Sequence, residues 1–264
     1  MNRVWLAILI LACGGCEIEN TLLFRTDKTD AYEFPDNRIP VDQFAEVSIE
    51  TSDGVTLAGA LAEHDSTART ALFLHGQGGN IDEFWDQVMV IWEQGFQVLI
   101  IDYRGYGKSE GEPSELGLYE DGRSSFAWLL EQGIAPESIV VWGHSLGTAV
   151  ASQLATEVDA GALLLDAPFT SMTDIVERGT PFGLPRDWVI ETEWDTLERI
   201  TRIRSPLLVV HGTDDGIVPF WMGERVFDAA PQPKRFFRAE DSGHSRAVLD
   251  HIDDIVAQLR LVWP

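Results

Sequence analysis

The sequence predicts an α/β domain, a mostly parallel central sheet with helices on both faces, on three observations. Apolar runs too short for helices, at 71–74, 97–101, 138–142, 162–165, 207–210 and 235–237, alternate with amphipathic stretches of helical length. Ahead of them Val47, Ile49, Val55 and Leu57 alternate with polar residues on either side of Asp53-Gly54, the pattern of an antiparallel hairpin. The 264 residues, 45% of them apolar, are enough for one domain with one core.

In chain order, residues 1–16 come first. Arg3 supplies one positive charge, and Val4 to Ala12 are apolar, too few residues for a helix to span a bilayer. This is signal-peptide anatomy. Ile10-Leu11-Ala12-Cys13 resembles a bacterial lipoprotein signal, in which the cysteine is lipidated and becomes the mature N-terminus, with Cys16 behind Gly14-Gly15 as the alternative. The expectation is an exported lipoprotein whose domain lies in the periplasm or at the cell surface; an ordinary cleaved signal would instead leave it secreted and soluble. These are the only two cysteines, so no disulfide is expected in the folded body.

Residues 17–44 mix charges with Pro35 and Pro40 and show no sustained period. They predict a tether and an arm lying on the domain, with no part in catalysis. The domain proper is expected over 45–264. Asn80 and Glu83 form an N-cap and partial capping box for a helix reaching Gln94 and ended by Gly95. Further helices are expected near 117–131, 146–156, 220–229 and 246–261. The interval 173–204 breaks the alternation with Pro181, Pro185, Trp188 and Trp194 among charges. It is expected to be a small lid of short helices, or else a longer surface crossover.

Composition excludes some partners. Forty-three acidic against 19 basic residues give a net charge of -24, which repels nucleic acid and anionic membrane and argues against a polyanionic substrate. Membrane association is expected through the N-terminal anchor only.

The chemistry gathers around Gly143-His144-Ser145-Leu146-Gly147. A G-x-S-x-G arises by chance in about one chain in ten of this length, so its setting carries the argument. A strand, Ile139 to Trp142, arrives at it and a helix leaves it, which is the context a nucleophile on a sharp turn requires. Its glycines let strand and helix pack closely around a strained serine. A serine hydroxyl needs a base, and the base needs an acid to hold its tautomer. In this arrangement the chain order is nucleophile, acid, histidine. His211-Gly212-Thr213-Asp214-Asp215 ends a strong strand and offers two adjacent acids; Asp166 ends an earlier strand and reads as structural. His64, His75, His144 and His211 precede the acid, and His251 sits in a helical pattern, so His244 in Ser242-Gly243-His244-Ser245 is the base. The oxyanion of an acyl-transfer intermediate needs two backbone donors: Leu146 N–H after the nucleophile, and Gln77 N–H in His75-Gly76-Gln77-Gly78-Gly79. That Gly-rich turn lacks the lysine and the spacing of a phosphate loop.

With these residues on the page the chain resembles the serine-nucleophile α/β hydrolases of the serine-aminopeptidase-like and monoacylglycerol-lipase-like group, from about Val47 to Leu261. The motifs are Leu74 to Asn80, Asp102-Tyr103-Arg104-Gly105-Tyr106-Gly107-Lys108-Ser109, Gly143 to Gly147, His211-Gly212 with Asp215, Val218 and Pro219, and Gly243-His244. The resemblance implies the α/β-hydrolase fold and places the catalytic acid at Asp215. It implies hydrolysis through an acyl-enzyme without metal or organic cofactor, on a small-molecule ester, thioester or acyl substrate. A peptidase or amidase on the same three residues is the alternative, and a non-catalytic surface-anchored binding lipoprotein is the second.

Overall fold

The computed structural model describes residues 24–64, 69–179 and 192–264. Its strands are β1 (Arg25–Thr26), β2 (Phe44–Glu50), β3 (Thr56–Ala62), β4 (Thr70–Leu74), β5 (Gly78–Gly79), β6 (Gln97–Ile101), β7 (Ile139–His144), β8 (Ala162–Asp166), β9 (Leu207–Gly212) and β10 (Lys234–Ala239). Its helices are α1 (Ile81–Glu93), α2 (Glu115–Glu131), α3 (Leu146–Glu157), α4 (Met172–Gly179), α5 (Thr196–Arg199), α6 (Phe220–Ala229) and α7 (Ala247–Val262).

Every apolar run became a strand of one eight-stranded sheet, in the order β10-β9-β8-β7-β4-β6-β3-β2. The strands from β10 to β6 are parallel. The expected hairpin is β2 and β3, which pair antiparallel with Phe44 opposite Ala62 and Glu50 opposite Thr56. Strand β3 is antiparallel to β6 as well.

The runs are strands because both sheet faces are covered. Every residue of β4, β7, β8 and β9 is buried, and side chains alternate between two cores. Leu72, Leu74 and Val141 join Leu118 and Phe126 of α2, Val150 of α3 and Val226 of α6. Ala71, Phe73 and Trp142 join Trp85 and Val88 of α1 and Ile255 and Leu259 of α7.

Helix boundaries follow local capping. The Asn80 side chain accepts from Asp82 N–H at 2.9 Å and starts α1. Gly95, with φ +86°, follows its end. Ser114 Oγ accepts from Gly117 N–H at 3.1 Å, so α2 starts at Glu115, ahead of the expected 117.

The chain leaves the central strand β4 for β6 on one side and returns to β7 on the other. A crevice opens above the carboxyl ends of two parallel strands where the winding direction reverses, and there α/β sheets place ligands. The turn after β4 begins with His75, and Ser145 follows β7.

The arm does more than lie on the surface. Strand β1 pairs in parallel with β5, placing Arg25 opposite Gly78 and Thr26 opposite Gly79. The signal segment with Cys13 and Cys16 lies outside the described residues, as do residues 17–23 of the tether. Within the interval 173–204, Pro181, Pro185 and Trp188 also lie outside them. Trp194 is fully buried and packs on Phe24 and Tyr119, with ring centroids 6.2 and 5.5 Å away.

Candidate active site

The elbow is strained as its sequence requires. Ser145 has φ 51° and ψ -116°, a positive φ that a residue with a Cβ adopts only under constraint. Two glycines make it possible. A Cβ on Gly143 would lie 2.4 Å from the Gly147 carbonyl oxygen, and one on Gly147 would lie 2.0 Å from that of Leu74. The turn is tied from β8, where the Asp166 carbonyl accepts from Ser145 N–H at 2.9 Å. Asp166 Oδ2 also lies 2.7 Å from Nδ1 of buried His144. Asp166 therefore anchors the elbow, as its structural reading anticipated.

Three side chains from distant parts of the chain meet above β7. His244 Nε2 is 2.8 Å from Ser145 Oγ, and His244 Nδ1 is 2.7 Å from Asp215 Oδ2. An ionised Asp215 only accepts, so Nδ1 carries the proton and Nε2 is left to accept from the serine hydroxyl. Asp215 Oδ1 accepts from Ile217 N–H and Val218 N–H, each at 2.8 Å. Burial alone would raise its pKa, but the bonds from His211 and His244 outweigh burial and hold the carboxyl well below the usual range. Of the two adjacent acids Asp215 is the one joined to His244, and Asp214 is exposed.

His211 stands behind the acid. Its Nε2 lies 3.0 Å from the Val218 carbonyl, which can only accept, so Nε2 bears the proton; the same atom is 3.4 Å from Asp215 Oδ2. Its fully buried Nδ1 has no hydrogen-bond partner and packs where a Cβ on Gly223 would come within 2.3 Å. Chain order had set His211 aside as a base; it stands four residues before Asp215 in the same motif, and the folded loop turns its ring onto the acid. His251 is partly buried, its Nε2 3.1 Å from Ser242 Oγ, so it supports the histidine turn rather than facing solvent.

The turn after β4 borders the serine. A Cβ on Gly76 would lie 3.2 Å from His144 Cδ2 and 3.4 Å from Ser145 Cβ, so this backbone runs close beside the serine. Gln77 follows, half-buried, its carbonyl accepting from Tyr106 Oη at 3.0 Å. Tyr103 Oη donates to the His75 carbonyl at 3.1 Å. Leu146 is the buried first residue of α3. His75 itself is fully buried, and burial lowers its pKa to about 4. Its Nε2 lies 3.7 Å from Asp102 Oδ1, a buried carboxyl pushed up to about 7 by desolvation. Among the described residues no group of three or more His, Cys, Asp or Glu is arranged to hold a metal ion.

Residues 71–191 match the model of the alpha/beta hydrolase family. Rv2307c of Mycobacterium tuberculosis is 36% identical over 203 residues, 76% of this chain and 72% of that protein. The lysophosphatidylserine lipase ABHD12 of Danio rerio is 34% identical over 183 residues, 62% of this chain and 47% of the lipase. Among solved structures, the Pyrococcus furiosus esterase Pf2001 superposes with a TM-score of 0.69 at 22% identity, over 89% of this chain and 96% of the esterase. An alpha-beta hydrolase from Vibrio vulnificus superposes with a TM-score of 0.69 at 24% identity, over 88% and 96%. The fold, the elbow and these similarities agree: the chain belongs to the alpha/beta hydrolase family.

Proposed function

We propose that this protein is a serine hydrolase that cleaves carboxylic esters or thioesters of small or acyl-chain substrates through an acyl-enzyme. The observation that carries the reading is the continuous hydrogen-bonded chain from Ser145 Oγ through His244 to Asp215, at 2.8 and 2.7 Å, starting from a strained elbow. Ser145 Oγ attacks the substrate carbonyl as His244 Nε2 takes its proton, and Asp215 holds the tautomer and stabilises the imidazolium. The tetrahedral oxyanion is received by the Gln77 and Leu146 N–H groups. Collapse expels the alkoxide or thiolate, which takes the proton from His244. A water molecule, deprotonated by the same histidine, then attacks the acyl-serine, and Ser145 leaves with the proton returned. No metal or organic cofactor enters these steps.

The ester preference is supported by what similar proteins are named for, an esterase and a lysophosphatidylserine lipase, although this chain spans about half of the lipase. The same reading takes the chain as an exported lipoprotein, acylated at Cys13 or else Cys16, whose only membrane contact is that anchor. Palmitate incorporation that persists in the Cys13→Ala/Cys16→Ala double variant would end the anchoring proposal.

The test is labelling by a fluorophosphonate, followed by kcat/KM on a p-nitrophenyl ester series and on an aminoacyl amide. Labelling lost in Ser145→Ala and His244→Ala, with esters preferred to the amide, is expected. Preference for the amide would move the reading to a peptidase or amidase. A folded wild type inert to the probe and to every ester would leave a binding lipoprotein.

A further inference from the structure

The turn that borders Ser145 is intrinsically soft, with Gly76, Gly78 and Gly79 within five residues. Its geometry must come from its partners. Tyr103 and Tyr106 hold the carbonyls of His75 and Gln77. The N-terminal arm holds the turn as well. Beyond the β1–β5 pairing, Asp27 N–H donates to the Gly79 carbonyl at 3.3 Å, and the Asp27 carbonyl accepts from Gly107 N–H at 2.9 Å. Thr29 N–H donates to the Gly107 carbonyl at 3.3 Å.

One side chain ties this layer together. Tyr32 Oη donates to Asp102 Oδ2 at 2.5 Å, and Asp102 Oδ1 accepts from Ile81 N–H at 3.0 Å, where the turn enters α1. Lys108 N–H donates to Tyr32 Oη at 3.3 Å. Asp102 is fully buried, so a lost partner is not replaced by bulk water. Space there is already exhausted: a Cβ on Gly107 would lie 1.7 Å from Asp102 Oδ2. The Tyr32 ring packs on Phe34, with centroids 5.3 Å apart, and Phe34 packs on Trp85 of α1 at 4.7 Å.

We propose that Tyr32 is a positioning residue of the active site: through Asp102 it holds the 75–80 turn so that the Gln77 N–H stays aimed at the oxyanion above Ser145. Its effect on rate rests on the hydrolase reading above; its effect on the order of the turn does not. An oxyanion donor acts in the transition state, so a loosened turn lowers kcat and leaves KM nearly untouched.

The test uses the full-length chain and Tyr32→Phe, which keeps the ring and removes one hydroxyl. Expected are a kcat on a p-nitrophenyl ester lower by about tenfold with KM within about twofold, and faster amide hydrogen exchange at Gly78 and Gly79. Arg38→Ala, which removes another arm contact, the ion pair with Glu93 at 2.8 Å, should match wild type in both readouts. In an Asp102→Asn background the effect of Tyr32→Phe on kcat should vanish; if that background does not fold, the single variant decides. An unchanged kcat in folded Tyr32→Phe overturns the proposal, whether or not exchange accelerates. A folded wild type that turns over no ester sinks the hydrolase reading instead, and unchanged exchange in Tyr32→Phe then sinks the positioning claim separately.

Discussion

Asp215 Oδ2 meets His244 Nδ1 at 2.7 Å with its side chain wholly buried, while its neighbour Asp214 stands exposed. Adjacent residues at a strand end point in different directions, and only one can face the histidine turn. Asp215→Asn should therefore lower kcat by about 10³–10⁴-fold with the fold intact, as loss of the tautomer-holding acid does elsewhere. Asp214→Asn should stay within about threefold, since surface changes away from a site cost little. Steady-state kinetics on one ester compare the two directly, and equal losses would contradict the assignment.

His211 supports that acid from behind, its Nε2–H shared between the Val218 carbonyl and Asp215 Oδ2. His211→Leu removes the donor while keeping an apolar side chain in an enclosed space. The carboxylate loses one of the bonds that hold its pKa down, and we expect kcat to fall by about tenfold, with KM unchanged. Gly223→Ala should press on the same ring, because its Cβ would approach His211 Nδ1 to 2.3 Å. Overpacking of this kind costs about 1–3 kcal/mol, read as a lower Tm.

The elbow glycines make a stability prediction. Gly147→Ala would set a Cβ 2.0 Å from the Leu74 carbonyl oxygen, and neither the Cβ, fixed by its own backbone, nor that backbone oxygen can turn aside. A loss of about 3 kcal/mol or more is expected, enough to consume much of a typical domain's stability. Gly216→Ala, whose Cβ would meet nothing within 4 Å, is the matched substitution and should stay within about 0.5 kcal/mol by thermal melting.

Asp102 gives a pH signature. Its folded pKa of about 7 lies above the ordinary 3.8, with burial as the main cause. The folded state therefore holds this proton more tightly than the unfolded chain does, and its contribution to stability is full below 3.8 and lost as pH rises through 7. Asn at this position carries no charge at any pH. The stability of Asp102→Asn relative to wild type should thus improve between pH 4 and pH 7, by on the order of 1 kcal/mol per pH unit. His75, whose Nε2 is 3.7 Å from Asp102, is lowered to about 4 and titrates in part of this window in both proteins, so the difference at each pH reports Asp102. Denaturant titrations across the range measure it, and a flat difference would mean that Asp102 stays ionised in the fold.

The eight strands of the main sheet, most helices and the Ser145 elbow were legible in the sequence because each rests on local rules, whereas the short pair β1 and β5 was not. A run such as Leu207 to Val210 can be buried on both sides only inside a covered sheet, and glycines at 143 and 147 leave room that any Cβ would fill. His244 was legible by elimination, since chain order left one histidine in a loop after the last strand. The same locality explains the misses. Nothing near Tyr32 in the chain announces that its hydroxyl will meet Asp102, 70 residues on, because packing alone brings the two together; His211 stands four residues before Asp215 in one motif, but which way its ring turns is settled only by the folded loop.

By itself, then, the sequence determined the sheet-and-helix alternation, the glycine-flanked turn at Ser145 and the order in which Ser145, Asp215 and His244 follow one another, since these depend on residue type and spacing along the chain. Residue type and spacing left Asp214 and Asp215 open and the resemblance pointed to Asp215; only the tertiary structure joined Asp215 to His244, turned Trp194 into core, and bound the arm to the turn beside Ser145. Those outcomes depend on which side chains converge from segments tens of residues apart, and burial then makes each unmet hydrogen bond costly enough to select one arrangement.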